Sequence, residues 1–140
     1  MRGGVQRLIG QRSLLEIPPI IAVDGRVKTK SVPRISNKLL FARDSMTCLY
    51  CGVRFRNSEL SRDHVIPRAQ NGPDVWTNCV TACRRCNHYK ADKTPEQAGM
   101  ELLAVPFEPN LFEYFYLSGR NVLADQQLYL STKFENVLAA

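Results

Sequence analysis

Cys48-Leu49-Tyr50-Cys51 and Cys83-Arg84-Arg85-Cys86-Asn87 bracket the segment Ser61-Arg62-Asp63-His64-Val65-Ile66-Pro67, and the reading of these three stretches decides the fold. Two cysteines separated by two residues place both sulfurs on one side of a tight turn, so each pair can hold one edge of a zinc tetrahedron. Four thiolates, from Cys48, Cys51, Cys83 and Cys86, would tie shut a loop of about thirty residues. Inside or just beyond that loop stand an adjacent aspartate and histidine, Asp63 and His64, and two amides, Asn78 and Asn87. Ordering by burial alone is hard for a segment this polar, and a bound ion supplies the missing free energy.

Around this centre the chain is 140 residues long, enough for a single domain with a modest core, and it contains no repeat or low-complexity tract. An apolar fraction of 44% is that of an ordinary globular chain and excludes disorder throughout. The net charge of +6 is uneven. Residues 1–50 hold nine Lys/Arg against three Asp/Glu, residues 51–100 eight against five, and residues 101–140 two against five. A basic body with an acidic end fits a phosphate-rich partner on the first hundred residues, the alternative being a merely solvated basic surface. The cysteines number five. With Pro18 and Pro19 interrupting the first apolar stretch, no secretory leader is read, so a reduced cytoplasmic setting is expected, in which paired cysteines are metal ligands rather than disulfides. Cys79 is left over and is expected to pack as a small apolar residue. No run approaches the roughly 20 apolar residues that cross a bilayer, so no membrane partner is expected.

Residues 1–12 lack periodicity and read as a mobile or partner-dependent arm, followed by a hairpin of Ile17–Val23 and Arg26–Lys30 about an Asp24-Gly25 turn. Ser36 is a cap for a helix running through Lys38–Phe41 towards Asp44. One strand is predicted to end near Asp63-His64-Val65 and another to lie near Cys79–Ala82, joined by a loop over Pro67–Thr77 that contains the turn signal Asn71-Gly72-Pro73-Asp74. A helix should start near Cys83 or Arg84 and end by Lys93. Thr94, Pro95 and Gln97 then announce a new helix to about Leu103, with Thr94 as cap and Gln97 completing a capping box. Leu111–Leu117, with four aromatics, reads as a cover for the core or a subunit contact, and residues 121–138 as a further helix. Trp76 is expected to anchor the core or the loop. The division is 1–35 as basic arm and hairpin, 36–105 as core, and 106–140 as extension, within one domain overall.

The positions Cys48, Cys51, Asp63, His64, Pro67, Gly72, Asn78, Cys83, Cys86, Asn87 and Lys90 together resemble the HNH endonuclease family, most strongly from Ser36 to about Leu103. That resemblance implies an α+β fold: a small zinc-stabilised ββα-metal, treble-clef-like core with flanking helices. It implies a metal-dependent endonuclease that hydrolyses phosphodiester bonds of DNA, one strand per active site. Asp63 and Asn87 would ligate the catalytic ion, His64 would activate water, and Asn78 would hold the loop so that His64 points correctly. Oxygen ligands favour Mg2+ or Mn2+ there, separate from the structural Zn2+.

The spacing of fourteen positions from His64 to Asn78 and nine from Asn78 to Asn87 makes this a His-Asn-Asn variant, with His88 the competing candidate for the third position. Histidine suits the base because its ordinary pKa of about 6.5 leaves much of it neutral near pH 7. Arg84, Arg85 and Lys90, with Arg62, Arg68 and His88, are candidates to contact the nucleic-acid backbone. One motif offers one nucleophile, so double-strand breakage would need a homodimer or two visits. The alternatives are a non-catalytic zinc-stabilised nucleic-acid-binding module and a protein-interaction zinc domain.

Overall fold

In the computed structural model, residues 2–5, 12–14, 34–119 and 124–133 are described. Their elements are strands β1 (Arg2–Val5), β2 (Arg12–Leu14), β3 (Leu60–His64) and β4 (Cys79–Cys83), and helices α1 (Asn37–Arg43), α2 (Arg84–Lys90), α3 (Leu111–Ser118) and α4 (Ala124–Ser131). β3, β4 and α2 form the ββα unit of a small α+β fold.

The β3–β4 ladder is antiparallel, with Leu60 opposite Cys83 and His64 opposite Cys79. Successive side chains of a strand point to opposite faces, and directly opposed residues share a face. Leu60, Arg62, His64, Cys79 and Thr81 therefore face α1, where Leu40, Phe41, Leu60, Trp76 and Cys79 make one apolar cluster. Ser61, Asp63, Val80 and Ala82 face α2.

The start of α1 is set locally: the Ser36 hydroxyl accepts from Leu39 N at 3.3 Å, satisfying an orphan donor of the first turn. Its end is set by distant groups. Arg43 has a fully enclosed side chain and spends its N–H donors on Asp44, on the carbonyls of Trp76 and Phe107, both through Nη1, and on the carbonyl of Cys79. Asp44 in turn accepts from Thr81 N at 2.8 Å. A planar cation with five donors joins four segments here without leaving its own charge unpaired. The guanidinium also lies over the rings of Trp76 and Phe107, at 5.7 and 5.2 Å from their centroids.

Two expectations are corrected. No helix runs from Thr94 to Leu103. The capping box forms, with Thr94 N donating to Gln97 Oε1 and Gln97 N to Thr94 Oγ1. The turn stops because Gly99 takes φ +64° while Met100 N reaches back to Pro95 O and Gly99 N to Glu96 O, a Schellman closure that ends a helix. Secondly, residues 2–5, within the 1–12 stretch read as an arm, pair antiparallel with residues 12–14. The hairpin expected over 17–30 lies outside the described residues. The helix expected over 121–138 corresponds to α4, and the aromatic stretch to α3, whose Asn110 cap accepts from both Phe112 N and Glu113 N. α3 packs against α1 and α4. Among the described residues, no helix is long and apolar enough to cross a membrane.

Candidate active site and metal centre

The first cysteine pair sits in a tight turn closed by Cys48 N donating to Val53 O and Gly52 N to Cys48 O, with Gly52 at φ +71°. A side chain there would be strained by that backbone and would meet Leu103. The second pair straddles the start of α2, where Cys83 is the cap and its sulfur accepts from Cys86 N at 3.4 Å. The sulfurs of Cys48, Cys51, Cys83 and Cys86 all lie within 4.8 Å of one another, and none is in a disulfide. Tetrahedral coordination with metal–sulfur bonds of about 2.3 Å sets sulfurs roughly 3.8 Å apart, so this set can close on one ion.

Burial and backbone donors act on three of these thiols in opposite senses. Burial pushes Cys51 and Cys86 up, and Cys86 is raised further by the Cys83 and Cys48 sulfurs beside it. Burial also opposes ionisation of Cys48, yet backbone N–H groups at Cys83, Cys51 and Tyr50 outweigh it and hold that thiol below its usual range. A cation among the four sulfurs would favour the ionised form of each.

Above this cluster, α2 lies across the inner face of β3 so that Asn87 meets Ser61 and Lys90 meets Asp63. Asn87 Nδ2 donates to Ser61 Oγ (2.8 Å) and to Arg62 O (3.4 Å). The second partner is a carbonyl, which fixes the amide with its nitrogen towards the strand. Asp63 is buried, with Lys90 Nζ 3.1 Å from Oδ1 and the Tyr50 hydroxyl on Oδ2. Burial first, then the Asp63 carboxylate, pushes the Tyr50 phenol well above its usual range, so it remains a donor. A carboxylate has about four lone-pair sites, so Asp63 keeps acceptor capacity beyond these two bonds. Carboxylate and amide oxygens such as those of Asp63 and Asn87 are donors of the kind that hard divalent ions take.

Lys90 is corrected as a nucleic-acid contact. Its side chain is 0% exposed and its ammonium is shared between Asp63 and the carbonyl of His64 (2.7 Å), so it holds the end of β3 rather than a phosphate. Arg62 is partly exposed, and its guanidinium is engaged by Asp74 at 2.7 and 2.8 Å and by Asn37 at 2.9 Å. Arg68, Arg84, Arg85 and His88 are exposed. Arg84 and His88 stand with Asn87, Ser61 and Leu60 around an open depression of about 410 Å3.

His64 points to the opposite face of β3 from Asp63. Its Nε2 lies 2.9 Å from Asp74 Oδ1, and Cys79 Sγ donates to the same oxygen at 3.4 Å. The ligand atoms of His64, Asp74 and Cys79 lie within 4.8 Å of one another, and the imidazole and the thiol both hydrogen-bond the Asp74 carboxylate. Arg62 already neutralises Asp74, and burial, then Asp74, pushes the Cys79 thiol up to about 12, which keeps it protonated.

The loop that delivers Asp74 is pinned by Asn78. Its Oδ1 accepts from Ile66 N at 2.9 Å, and its Nδ2 donates to Ile66 O at 3.0 Å and Pro73 O at 2.9 Å. Gly72 lies so close beneath that an added Cβ would stand 1.7 Å from Ile66 O. Asp74 and Tyr50 were not among the residues singled out by sequence as functional. The turn signal Asn71-Gly72-Pro73-Asp74 marked the right place for Asp74, but nothing local indicates that its carboxylate returns to His64.

Comparison with known proteins places this geometry in context. Residues 48–103 match the family described as HNH endonuclease. A 53-residue stretch is 42% identical to the CRISPR-associated endonuclease Cas9 of Corynebacterium diphtheriae, covering 36% of this chain and 5% of that protein.

Proposed function

We propose that this protein, whose residues 48–103 match the HNH endonuclease family, is a metal-dependent endonuclease that hydrolyses phosphodiester bonds of DNA with His64 as general base. The observation that carries this reading is the adjacent pair Asp63 and His64 at the end of β3, inside the matched segment. Asp63 and Asn87 offer hard oxygen donors, and the His64 imidazole is held by Asp74.

Zn2+ in the tetracysteine cluster would hold the turn of Cys48–Cys51 to the start of α2. Mg2+ or Mn2+ at Asp63 and Asn87 would offset the phosphate's charge and ease departure of the leaving oxygen. His64 takes the proton of the attacking water. Asn78 keeps the Pro67–Asn78 loop closed beside it, and Arg68, Arg84, Arg85 and His88 steer and grip the DNA backbone from exposed positions. One such centre cuts one strand, so a double-strand break requires a homodimer or two visits. The protein's working compartment in this reading is the cytoplasm.

A second reading, a non-catalytic zinc-stabilised nucleic-acid-binding module, is favoured by one observation: Asp63 is already paired with Lys90 and Tyr50. Nicking of supercoiled plasmid with Mg2+ or Mn2+ separates the two. The enzyme reading expects His64→Ala to lose activity on the order of a hundredfold or more while retaining metal and melting temperature. Equal nicking by wild type and variant rejects His64 as the base, and DNA binding without nicking by the wild type establishes the module.

A further inference from the structure

We infer that Asp74 is a positioning residue that holds His64 as the Nε2–H tautomer, so that Nδ1 is the atom that accepts the proton from water. The inference rests on the nuclease reading for its catalytic consequence, but on the geometry alone for the state of the ring.

An ionised carboxylate has lone pairs and no hydrogen to give. With Asp74 Oδ1 2.9 Å from His64 Nε2, a neutral ring makes that bond only with its proton on Nε2. The carboxylate is kept ionised by its surroundings. Arg62 Nη1 contacts both of its oxygens, and the guanidinium is itself aimed by Asn37 Oδ1 from the first turn of α1. The Arg62 bond, working against burial, holds the Asp74 carboxyl down at about 2.

The placement is built rather than incidental. Asn78 Nδ2 grips Pro73 O, the residue before Asp74, while Gly72 lets the loop pass against Ile66 O where no side chain fits. Cys79, opposite His64 in the ladder, donates its thiol hydrogen to the same Asp74 oxygen from below. Asp74 is thus fixed from its own loop and from both strands at once. A carboxylate held behind an imidazole selects the tautomer and stabilises the imidazolium that forms.

In the reaction, a water O–H bond breaks and its proton bonds to Nδ1. The water oxygen's electron pair forms the new P–O bond as the bond from phosphorus to the leaving oxygen breaks, and that oxygen takes a proton from solvent. Asp74 touches none of these atoms. It acts through the ring.

The test uses the full chain and two readouts. The sequence has only two histidines, His64 and His88, so long-range 1H–15N spectra of the imidazoles are simple to assign with His88→Gln. At a pH where the ring is neutral, wild type is expected to show His64 with Nε2 protonated and Nδ1 bare. Asp74→Ala is expected to show a mixture of tautomers and to lose at least about tenfold in the turnover of plasmid nicking, with an unchanged KM for DNA. Asp74→Asn, which keeps an acceptor oxygen and the size but not the charge, is expected to fall between the two.

A wild-type ring protonated on Nδ1, or an Asp74→Ala variant with wild-type tautomer and turnover, overturns the assignment. A protein that cuts no DNA yet shows the Nε2–H ring overturns the nuclease reading and leaves the role of Asp74 standing.

Discussion

Lys90 Nζ lies 3.1 Å from Asp63 Oδ1, and both side chains are enclosed, at 0% and 6% exposure. The pair ties the last turn of α2 to the end of β3, and the same ammonium bonds the carbonyl of His64. A cation that sequence patterning assigns to a DNA contact is a strut beneath the site.

Lys90→Met is therefore expected to cost about 3–5 kcal/mol of folding stability, because it leaves a buried carboxylate without its counter-charge. Denaturant unfolding measures this. The double variant Lys90→Met/Asp63→Asn is expected to recover part of the loss; a single variant as stable as wild type would show that the pair is not buried in solution.

Cys48→Ser is expected to lose one equivalent of metal per chain and the cooperative melt of the core together. Ion binding in small tetracysteine and related sites is worth on the order of 10 kcal/mol of folding free energy, comparable to the whole stability of a domain of this size. Metal analysis beside a thermal scan decides it: a variant without metal that melts as wild type does would remove the ion from the stability of the fold.

Gly72→Ala is expected to destabilise the protein by about 3 kcal/mol, since the added carbon would stand 1.7 Å from the backbone oxygen of Ile66 and backbone has to move. The same shift should slacken the Asn78 bonds to Ile66 and Pro73, read as faster amide exchange at Ile66.

Asp74 has its carboxyl held down from 3.8 to about 2, chiefly by Arg62. A depressed folded-state value means that the stabilisation is fully present above about pH 4 and is lost as pH falls towards 2. Because the side chain is 38% exposed, solvent screening limits its worth to under about 1 kcal/mol. Asp74→Asn should be slightly less stable than wild type at pH 6, and the difference should close on acidification. A difference that grows on acidification would reverse the assigned sign.

Much of the core was legible in linear order. Ser36 as a cap, a strand ending near Asp63-His64-Val65, another near Cys79–Ala82 and a helix starting near Cys83 or Arg84 follow from capping chemistry, turn residues and cysteine spacing, each of which acts within a few residues, and the observed elements lie within a residue of them. Thr94-Pro95-Glu96-Gln97 shows the limit of such signals: the start was read correctly, but Gly99 ended the turn before a helix could grow.

What the chain dictates by itself is the local chemistry: thiol pairs at the right separation, an Asp-His step on a strand, and the residues that begin and break elements. Only the fold decided which charges remain available. Arg43 reaches Phe107 across 64 positions, Lys90 reaches Asp63 across 27, and Asp74 meets His64 through a loop whose path depends on Gly72 and Asn78. Whether a charged side chain ends up in solvent or against a partner depends on which distant group packing brings beside it, because burying a charge is tolerated only where a counter-charge or hydrogen-bond partner is already waiting.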